Sequence, residues 1–314
     1  MQTGVALLIR GRLALLAFLL PLACIQPISN AGSFHVATYN VENYLTVPAG
    51  TRAAKTPAAR RKVIENLVTL RADVLALQEI GGTSALLDLQ KALSGAGLNY
   101  PHWELITAFD TNIQVAVLSR FPIVQRRPHT KDSFLLMGRR LRVSRGFLEV
   151  DIEPSPKYRF TLITTHLKSR RPVAFADEAE MRFKEAELLR KKIDARLDAE
   201  PDANIIVLGD LNDIKGSRPI RNLIGRGRRA LIDTRPAERN GDNSASDPDP
   251  NSRTITWTHY YGQEDTYSRI DYILLSRGMG REWEPAGTYV LAVPDWGLAS
   301  DHRPIVASFT NEDR

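Results

Sequence analysis

Asp210 and Asn212 stand two apart at the end of an apolar run, in the segment Asn204–Asp213, NIIVLGDLND. Residues two apart on extended backbone point the same way. A strand over Ile205–Leu208 would therefore deliver a carboxylate and a carboxamide to one side of its tip. That pair suits work on a phosphate: the acid activates a water and the amide holds an oxygen. Gly209 would let a ligand or a second backbone come close. A buried strand followed by an ordinary Asn/Asp turn leaves the same signature, and this motif alone does not separate the two.

Other strand-like runs end in residues of the same kind. Phe34–Val41 delivers Asn40 and, two further on, Glu42. Val74–Leu77 delivers Glu79. Phe160–Thr165 delivers His166, followed by Lys168. Ile270–Leu275 carries Asp271, preceded by Arg269, and Ser300-Asp301-His302 precedes the last strand. Singly, Glu79 could be a solvated carboxylate, His166 a packed core histidine and Asp301-His302 a turn. Together they place carboxylates, amides and histidines repeatedly at strand ends. Carboxylate oxygens without thiols suit a hard cation, Mg²⁺ or Mn²⁺. Glu79 is the first candidate ligand, with Glu42 and Asp301 to complete the set. Histidines able to sit beside carboxylates suit a phosphoryl centre, where they stabilise charge or relay a proton at neutral pH. Arg145 and Lys168 are candidate phosphate contacts, weighed equally against solvated charges. The chain has no Walker-type loop, no serine nucleophile elbow and no HExxH.

The elements that must position these residues alternate between strand and helix. Helices are expected over Pro57–Arg71, Thr83–Leu93 and Asp177–Ala199; in the last, Ala186, Leu189, Ile193 and Leu197 form one stripe. Further strands are expected over Ile113–Leu118, Phe147–Ile152, Thr254–Thr258, Thr288–Val293 and Ile305–Phe309. Many strands with a few interspersed helices suggest two sheets packed face to face with helices outside, an α/β sandwich. Periodicity supports the strands but does not by itself fix that arrangement.

The first 31 residues read as a secretory signal peptide: Arg10 and Arg12, an apolar run Leu13–Ile25, and Ser29-Asn30-Ala31 as cleavage site. The run is shorter than the ~20 residues of a membrane span, and Pro21 interrupts it. Lipoprotein processing at Cys24 is the weaker alternative. Cys24 is the only cysteine of the 314 residues, so cleavage would leave no disulfide and no thiolate site. Residues 32–314 suffice for one large domain. The formal charge of +6 permits an anionic substrate without identifying it. Arginine and lysine bunch at 126–127, 139–145, 168–171 and 226–229, most of them expected on solvated faces. Asp242–Pro250 reads as a flexible acidic loop.

The order of TYNVEN (Thr38–Asn43), LQE (Leu77–Glu79), VAVLSRFPI (Val115–Ile123), TTHLKS (Thr164–Ser169), GDLND, SRIDYILLS (Ser268–Ser276) and SDHRPI (Ser300–Ile305) resembles the endonuclease/exonuclease/phosphatase superfamily. The likeness runs from about Phe34 to Phe309. It implies the DNase I-like four-layer fold, two mixed β-sheets as a sandwich flanked by helices. By that resemblance Asn40 orients the catalytic aspartate, Glu79 is the principal Mg²⁺ ligand, and Glu42 and Asp301 are further metal-side acids. His166 contacts a phosphate oxygen or the leaving group. Asp210 aligns and deprotonates water, Asn212 binds a phosphate oxygen, and His302 is the second histidine with its tautomer held by Asp271. Ile80-Gly81-Gly82 stands where pancreatic-type DNases carry an arginine that enters the minor groove, which puts duplex reading in doubt.

The resulting expectation is a secreted or periplasmic, Mg²⁺- or Mn²⁺-dependent phosphodiesterase, foremost a nuclease on DNA or RNA, with no stable membrane anchor and no protein partner implied. The alternatives are a sphingomyelinase-like or sugar-phosphate phosphoesterase, or a catalytically dead binding module on the same fold.

Overall fold

A computed structural model of the chain describes residue 1 and residues 32–239 and 256–314. The expected signal peptide and acidic loop lie outside the described residues. All the elements below fall within the unit spanning residues 31–314.

In chain order they are β1 (Ser33–Tyr44), α1 (Pro57–Leu70), β2 (Val74–Ile80), α2 (Thr83–Gly95), β3 (His102–Ile106), β4 (Gln114–Ser119) and β5 (Ile123–His129). A hairpin β6 (Ser133–Leu136) and β7 (Arg139–Arg142) precedes β8 (Phe147–Ser155), β9 (Tyr158–His166), α3 (Glu178–Ala199), β10 (Ile205–Asp210) and α4 (Arg218–Ile224). Then come β11 (Ile232–Asp233), β12 (Ala237–Arg239), a hairpin β13 (His259–Tyr261) and β14 (Thr266–Ser268), β15 (Asp271–Leu275), α5 (Met279–Glu282), β16 (Trp283–Leu291) and β17 (Ile305–Thr310).

A seven-stranded sheet runs β12-β16-β17-β1-β2-β4-β3, and a six-stranded sheet runs β11-β15-β10-β9-β8-β5. The period-2 pattern of each strand sorts its side chains between two layers. Val36 and Val74 of the first sheet meet Leu162, Ile206 and Ile273 of the second in the core between them. Their sequence neighbours point outward. Ala37 and Leu75 pack under Val63, Leu67, Leu86 and Leu89 of α1 and α2. Ile163 and Val207 pack under Ala186, Leu189 and Ile193 of α3 and under Ile220 of α4. The result is four layers, helices–sheet–sheet–helices. Both faces of the central strands are buried, which is why their apolar runs are nearly continuous.

Helix starts follow local chemistry. Thr56 caps α1, its side chain accepting from the Ala59 amide, with Pro57 in the first turn. Asp177 caps α3 in the same way, accepting from Glu180 N. Arg71 ends α1 in the left-handed region at φ 50°.

One expected strand is corrected. Residues 254 and 255 lie outside the described residues, and Thr256–Thr258 joins no ladder; the strand begins at His259. Among the described residues no helix is long and apolar enough to cross a membrane.

Candidate active site

Strand direction gathers the chemistry at one edge of the sandwich. β1 and β2 are parallel, as are β9 and β10, so Asn40, Glu79, His166 and Asp210 emerge at their C-terminal ends. β15 and β17 run antiparallel to β10 and β1, so Asp271 and His302 lie at or just before their starts. Asp210 is directly opposite His166 on one side and Asp271 on the other.

The last strand residues are bent into the space above the edge. Glu42, Asn43, Glu79 and Asn212 all have left-handed backbone, at φ 42°, 49°, 67° and 53°. Such a conformation costs a non-glycine residue about 1–2 kcal/mol. Gly209, at φ 133°, passes so close to β9 that a Cβ would lie 2.0 Å from the Thr165 carbonyl oxygen.

This geometry corrects the extended reading of Asp210 and Asn212. The strand stops at Asp210, and a turn at residues 211–212 folds Asn212 back. Its backbone amide donates to Asp210 Oδ1 (2.9 Å) and its Nδ2 to Asp210 Oδ2 (3.2 Å) and to the Leu167 carbonyl (3.0 Å). Asn212 therefore orients Asp210, and offering its amide to a phosphate requires one of these bonds to break.

Asp210 Oδ2 also accepts from Asn40 Nδ2 at 3.0 Å, a bond that joins the two sheets. His166 Nε2 lies 3.4 Å and His302 Nε2 3.7 Å from the same oxygen. Burial raises the Asp210 carboxyl from its ordinary value to about 7, the His302 charge opposing and Asp271 adding to the rise. A carboxyl poised there is well matched to a general base at neutral pH.

His302 Nδ1 is 2.8 Å from Asp271 Oδ2, which also accepts the Thr258 hydroxyl at 2.7 Å. That contact fixes the tautomer: Nδ1 carries a proton toward Asp271, and Nε2 faces the cleft. Burial alone would lower the His302 pKa; the charges of Asp271 and Asp210 overcome it and hold it well above the usual histidine value. His166 goes the other way. Burial first, and then the Arg145 charge, hold it well below, so it is neutral beside a charged His302. Its Nδ1 has no hydrogen-bond partner.

A cleft of about 860 Å³ opens over these groups, lined by Glu79, Arg145, His166, Asp210, Asn212, Asp301 and His302. Asn40 and Asp271 sit behind them, 1% exposed. Glu42 faces a neighbouring recess that it shares with Asp301. Lys168 is not brought to this cleft. It lines an adjoining one of about 790 Å³, which Arg145 and Arg52 also line. Its ammonium donates to the Ser169 and Arg171 carbonyls, and its backbone amide to the buried Glu185. Arg145 is likewise partly committed, with Nη1 to the Leu167 carbonyl (3.3 Å) and Nε 3.5 Å from Asp110.

Sequence reasoning missed Arg52, Lys55, Thr258 and His259. Arg52 Nη1 is 3.8 Å from Glu79 Oε2, and Lys55 Nζ is 3.8 Å from Glu42 Oε2. Both sit on an aperiodic loop with no pattern to reveal them. His259 Nε2 is 3.6 Å from Asp301 Oδ2. Its signal was available, since it is one of only six histidines and lies ten residues before Arg269-Ile270-Asp271.

Glu79 Oε2 accepts the Asn43 amide at 2.9 Å, and Oε1 meets Asn40 Nδ2 at 3.4 Å. Glu42 is raised by burial and by the nearby charge of Asp301, with Lys55 opposing the rise and Glu79 adding to it. Glu79, Glu42 and Asp301 offer carboxylate oxygens alone. That all-oxygen set fits a hard divalent cation. Asp210, Asp271 and His302 are close enough to one another to surround an ion. Their donor atoms are already committed to one another, to Asn40 and to Thr258, so they fit a proton relay better.

The profile of the Endonuclease/Exonuclease/phosphatase family matches residues 37–302. The chain belongs to that family. Its members are hydrolases of phosphoester bonds that use divalent metals. Among solved structures it is similar to the human Nocturnin catalytic domain with bound sulfate (17% identity, TM-score 0.62, covering 89% of this chain and 95% of that one). It is also similar to sphingomyelinase C from Streptomyces griseocarneus (21%, 0.58, covering 89% and 100%) and to truncated Caenorhabditis elegans TDP2 (14%, 0.57, covering 88% and 97%). At these identities the likeness shows the fold, two mixed β-sheets flanked by helices. No curated protein sequence matches the chain.

Proposed function

We propose that the protein is an exported, divalent-metal-dependent phosphodiesterase that acts on nucleic acid. The observation that carries the reaction is the chain Asn40–Asp210–His302–Asp271 at the floor of the cleft. Asp210 aligns a water and takes its proton, held in place by Asn40 and Asn212. His302, charged and fixed by Asp271, donates from Nε2 to the phosphate oxygen on which charge develops. Neutral His166 donates to a second oxygen, and Arg145 faces the phosphate from the cleft wall. A Mg²⁺ or Mn²⁺ held by Glu79, with Glu42 and Asp301 beside it, supplies further charge neutralisation when bound. Export rests on the N-terminal sequence alone.

Nucleic acid is favoured by the adjoining cleft. Arg140, Arg142 and Arg171 line it with Phe109 (64% exposed) and Phe175 (48% exposed), and Arg142 lies 5.9 Å over the Phe109 ring. Arginines that meet a backbone, beside exposed rings on which bases stack, suit a single strand. A second reading, a lipid phosphodiesterase, is favoured by Leu135 (62% exposed) and Met137 (79% exposed) at the tip of the β6–β7 hairpin.

Purified protein with Mg²⁺, Mn²⁺ or EDTA is tested on single-stranded DNA, plasmid DNA, RNA, sphingomyelin and bis-p-nitrophenyl phosphate. Nucleic-acid cleavage that EDTA abolishes is the expected result. Turnover of sphingomyelin alone would replace the first reading by the second. No turnover of any substrate would leave a non-catalytic module.

A further inference from the structure

His259 has no role in the reaction just described, yet the backbone pins it against the site. It is bridged to His302 across an antiparallel pairing, with Tyr260 N donating to Asp301 O (2.9 Å) and Arg303 N to Thr258 O (2.7 Å). Residues directly opposite on paired strands bring their Cβ atoms within about 5 Å. The two imidazoles accordingly sit 4.6 Å apart between ring centroids. Asp301 completes the group: its Oδ2 is 3.6 Å from His259 Nε2 and its Oδ1 3.8 Å from His302 Nε2. One donor atom from each residue falls within 4.8 Å of the other two.

We propose that His259, Asp301 and His302 form a site for a borderline transition-metal ion such as Zn²⁺, and that an ion held there blocks hydrolysis by occupying His302 Nε2.

The donor chemistry distinguishes this site from the carboxylate set around Glu79, with which it shares Asp301. Two imidazole nitrogens and one carboxylate suit Zn²⁺ or Co²⁺, whereas Mg²⁺ prefers oxygen alone. Bonds of about 2.0–2.2 Å in a tetrahedron put neighbouring donors about 3.3–3.5 Å apart. His259 lies 3.6 Å from one Asp301 oxygen and His302 3.8 Å from the other, and with one donor from each residue within 4.8 Å, side-chain rotations of about an ångström bring the three to that spacing. The support that a histidine ligand needs is in place, since Asp271 accepts the Nδ1–H of His302 and aims Nε2 at the cleft, where an incoming ion displaces the Nε2 proton to water. All three residues line the cleft, so a fourth position opens to water. The blocking half of the proposal rests on the role given to His302 above; the binding half does not.

The test begins with EDTA-stripped protein titrated with Co²⁺ and followed by its visible d–d absorption. Wild type is expected to develop the bands of a low-coordinate Co²⁺ site at one equivalent, and Zn²⁺ to bleach them. His259→Ala and the bulkier His259→Gln are each expected to weaken binding at least tenfold, and Glu79→Gln to leave it nearly unchanged. No absorption change in wild type, or wild-type affinity in both His259 variants, would overturn the site. In the second arm Zn²⁺ is titrated into Mg²⁺-supported hydrolysis of bis-p-nitrophenyl phosphate. Half-inhibition is expected at a Zn²⁺ concentration at least tenfold lower for wild type than for His259→Ala. Binding without inhibition would overturn the blocking role. Failure of Mg²⁺ to support any hydrolysis would sink the phosphodiesterase reading, while the absorption titration would still decide the site.

Discussion

Replacing Asp210 by Asn separates the electrostatic cost of the site from its chemistry. The carboxyl is 1% exposed, and burial lifts it from 3.8 to about 7. The folded state therefore holds a proton that the unfolded chain has released, and the group's contribution to stability is lost as pH rises from 3.8 to about 7. The loss is about 1.4 kcal/mol per pH unit within that interval, or about 2–3 kcal/mol between about pH 4.5 and about pH 6.5. That window lies below the ordinary histidine value of 6.5, so His302, raised in the fold, is charged in both states and adds little slope there. An asparagine does not titrate. It faces the Asn212 amide with the wrong partner on one side, but that penalty is the same at both pH values. Urea denaturation at the two pH values should show wild type losing about 2–3 kcal/mol more than Asp210→Asn, with the variant inactive throughout. Parallel losses in the two proteins would refute the assignment of a raised carboxyl at Asp210.

The same raised carboxyl predicts that kcat/KM climbs with pH through about 7, because only the carboxylate form of Asp210 accepts a proton; a flat profile across neutrality would exclude it as the base. His302→Ala should lower kcat by about 10²–10⁴-fold with the fold intact, as read by steady-state kinetics and circular dichroism. Glu79→Gln should raise the Mg²⁺ concentration for half-maximal rate at least about tenfold, and an unchanged titration would remove Glu79 from the cation's ligands. Gly209→Ala should destabilise by about 2 kcal/mol or more in denaturant, since its Cβ would meet the Thr165 carbonyl oxygen at 2.0 Å on backbone at φ 133°.

The four-layer fold, and the gathering of most candidate residues at one edge, were legible because they depend on residue type along strands and at their ends. Val36 and Ala37 face opposite cores, as do Ile206 and Val207, and such doubly buried strands leave continuous apolar runs. Edge strands leave no such mark. β5 ends its sheet, buries Ile123 but exposes most of its other residues, and carries Pro128, a residue an edge tolerates. Arg127, expected on a solvated face, instead holds Asp151 and the buried Glu149. The hairpin β6–β7 is polar at only half of its strand positions and keeps no strict alternation, so it reads as a loop. Backbone reversal was also invisible. Asn212 and Glu79 adopt left-handed conformations that their residue types permit without announcing. His259 reaches the site only through a bridge to His302, a pairing of residues 43 apart that no local pattern encodes.

The proposed catalytic groups come from both sheets. Asn40 and Glu79 belong to the seven-stranded one, while Asp210, His166 and Asp271 belong to the six-stranded one. The Asn40–Asp210 bond at 3.0 Å and the Gln78–Thr164 bond at 3.2 Å are rivets across the seam. The first has only a few tenths of an ångström to spare before it ceases to be a bond. Catalysis thus works as a gauge of the gap between two plates, and the side chains of Phe34, Leu162 and Ile206 are the shims that set it. Wear at a shim far from the cleft would slacken the rivet while the plates still held together. In this architecture the interior is part of the enzyme's alignment as much as of its strength.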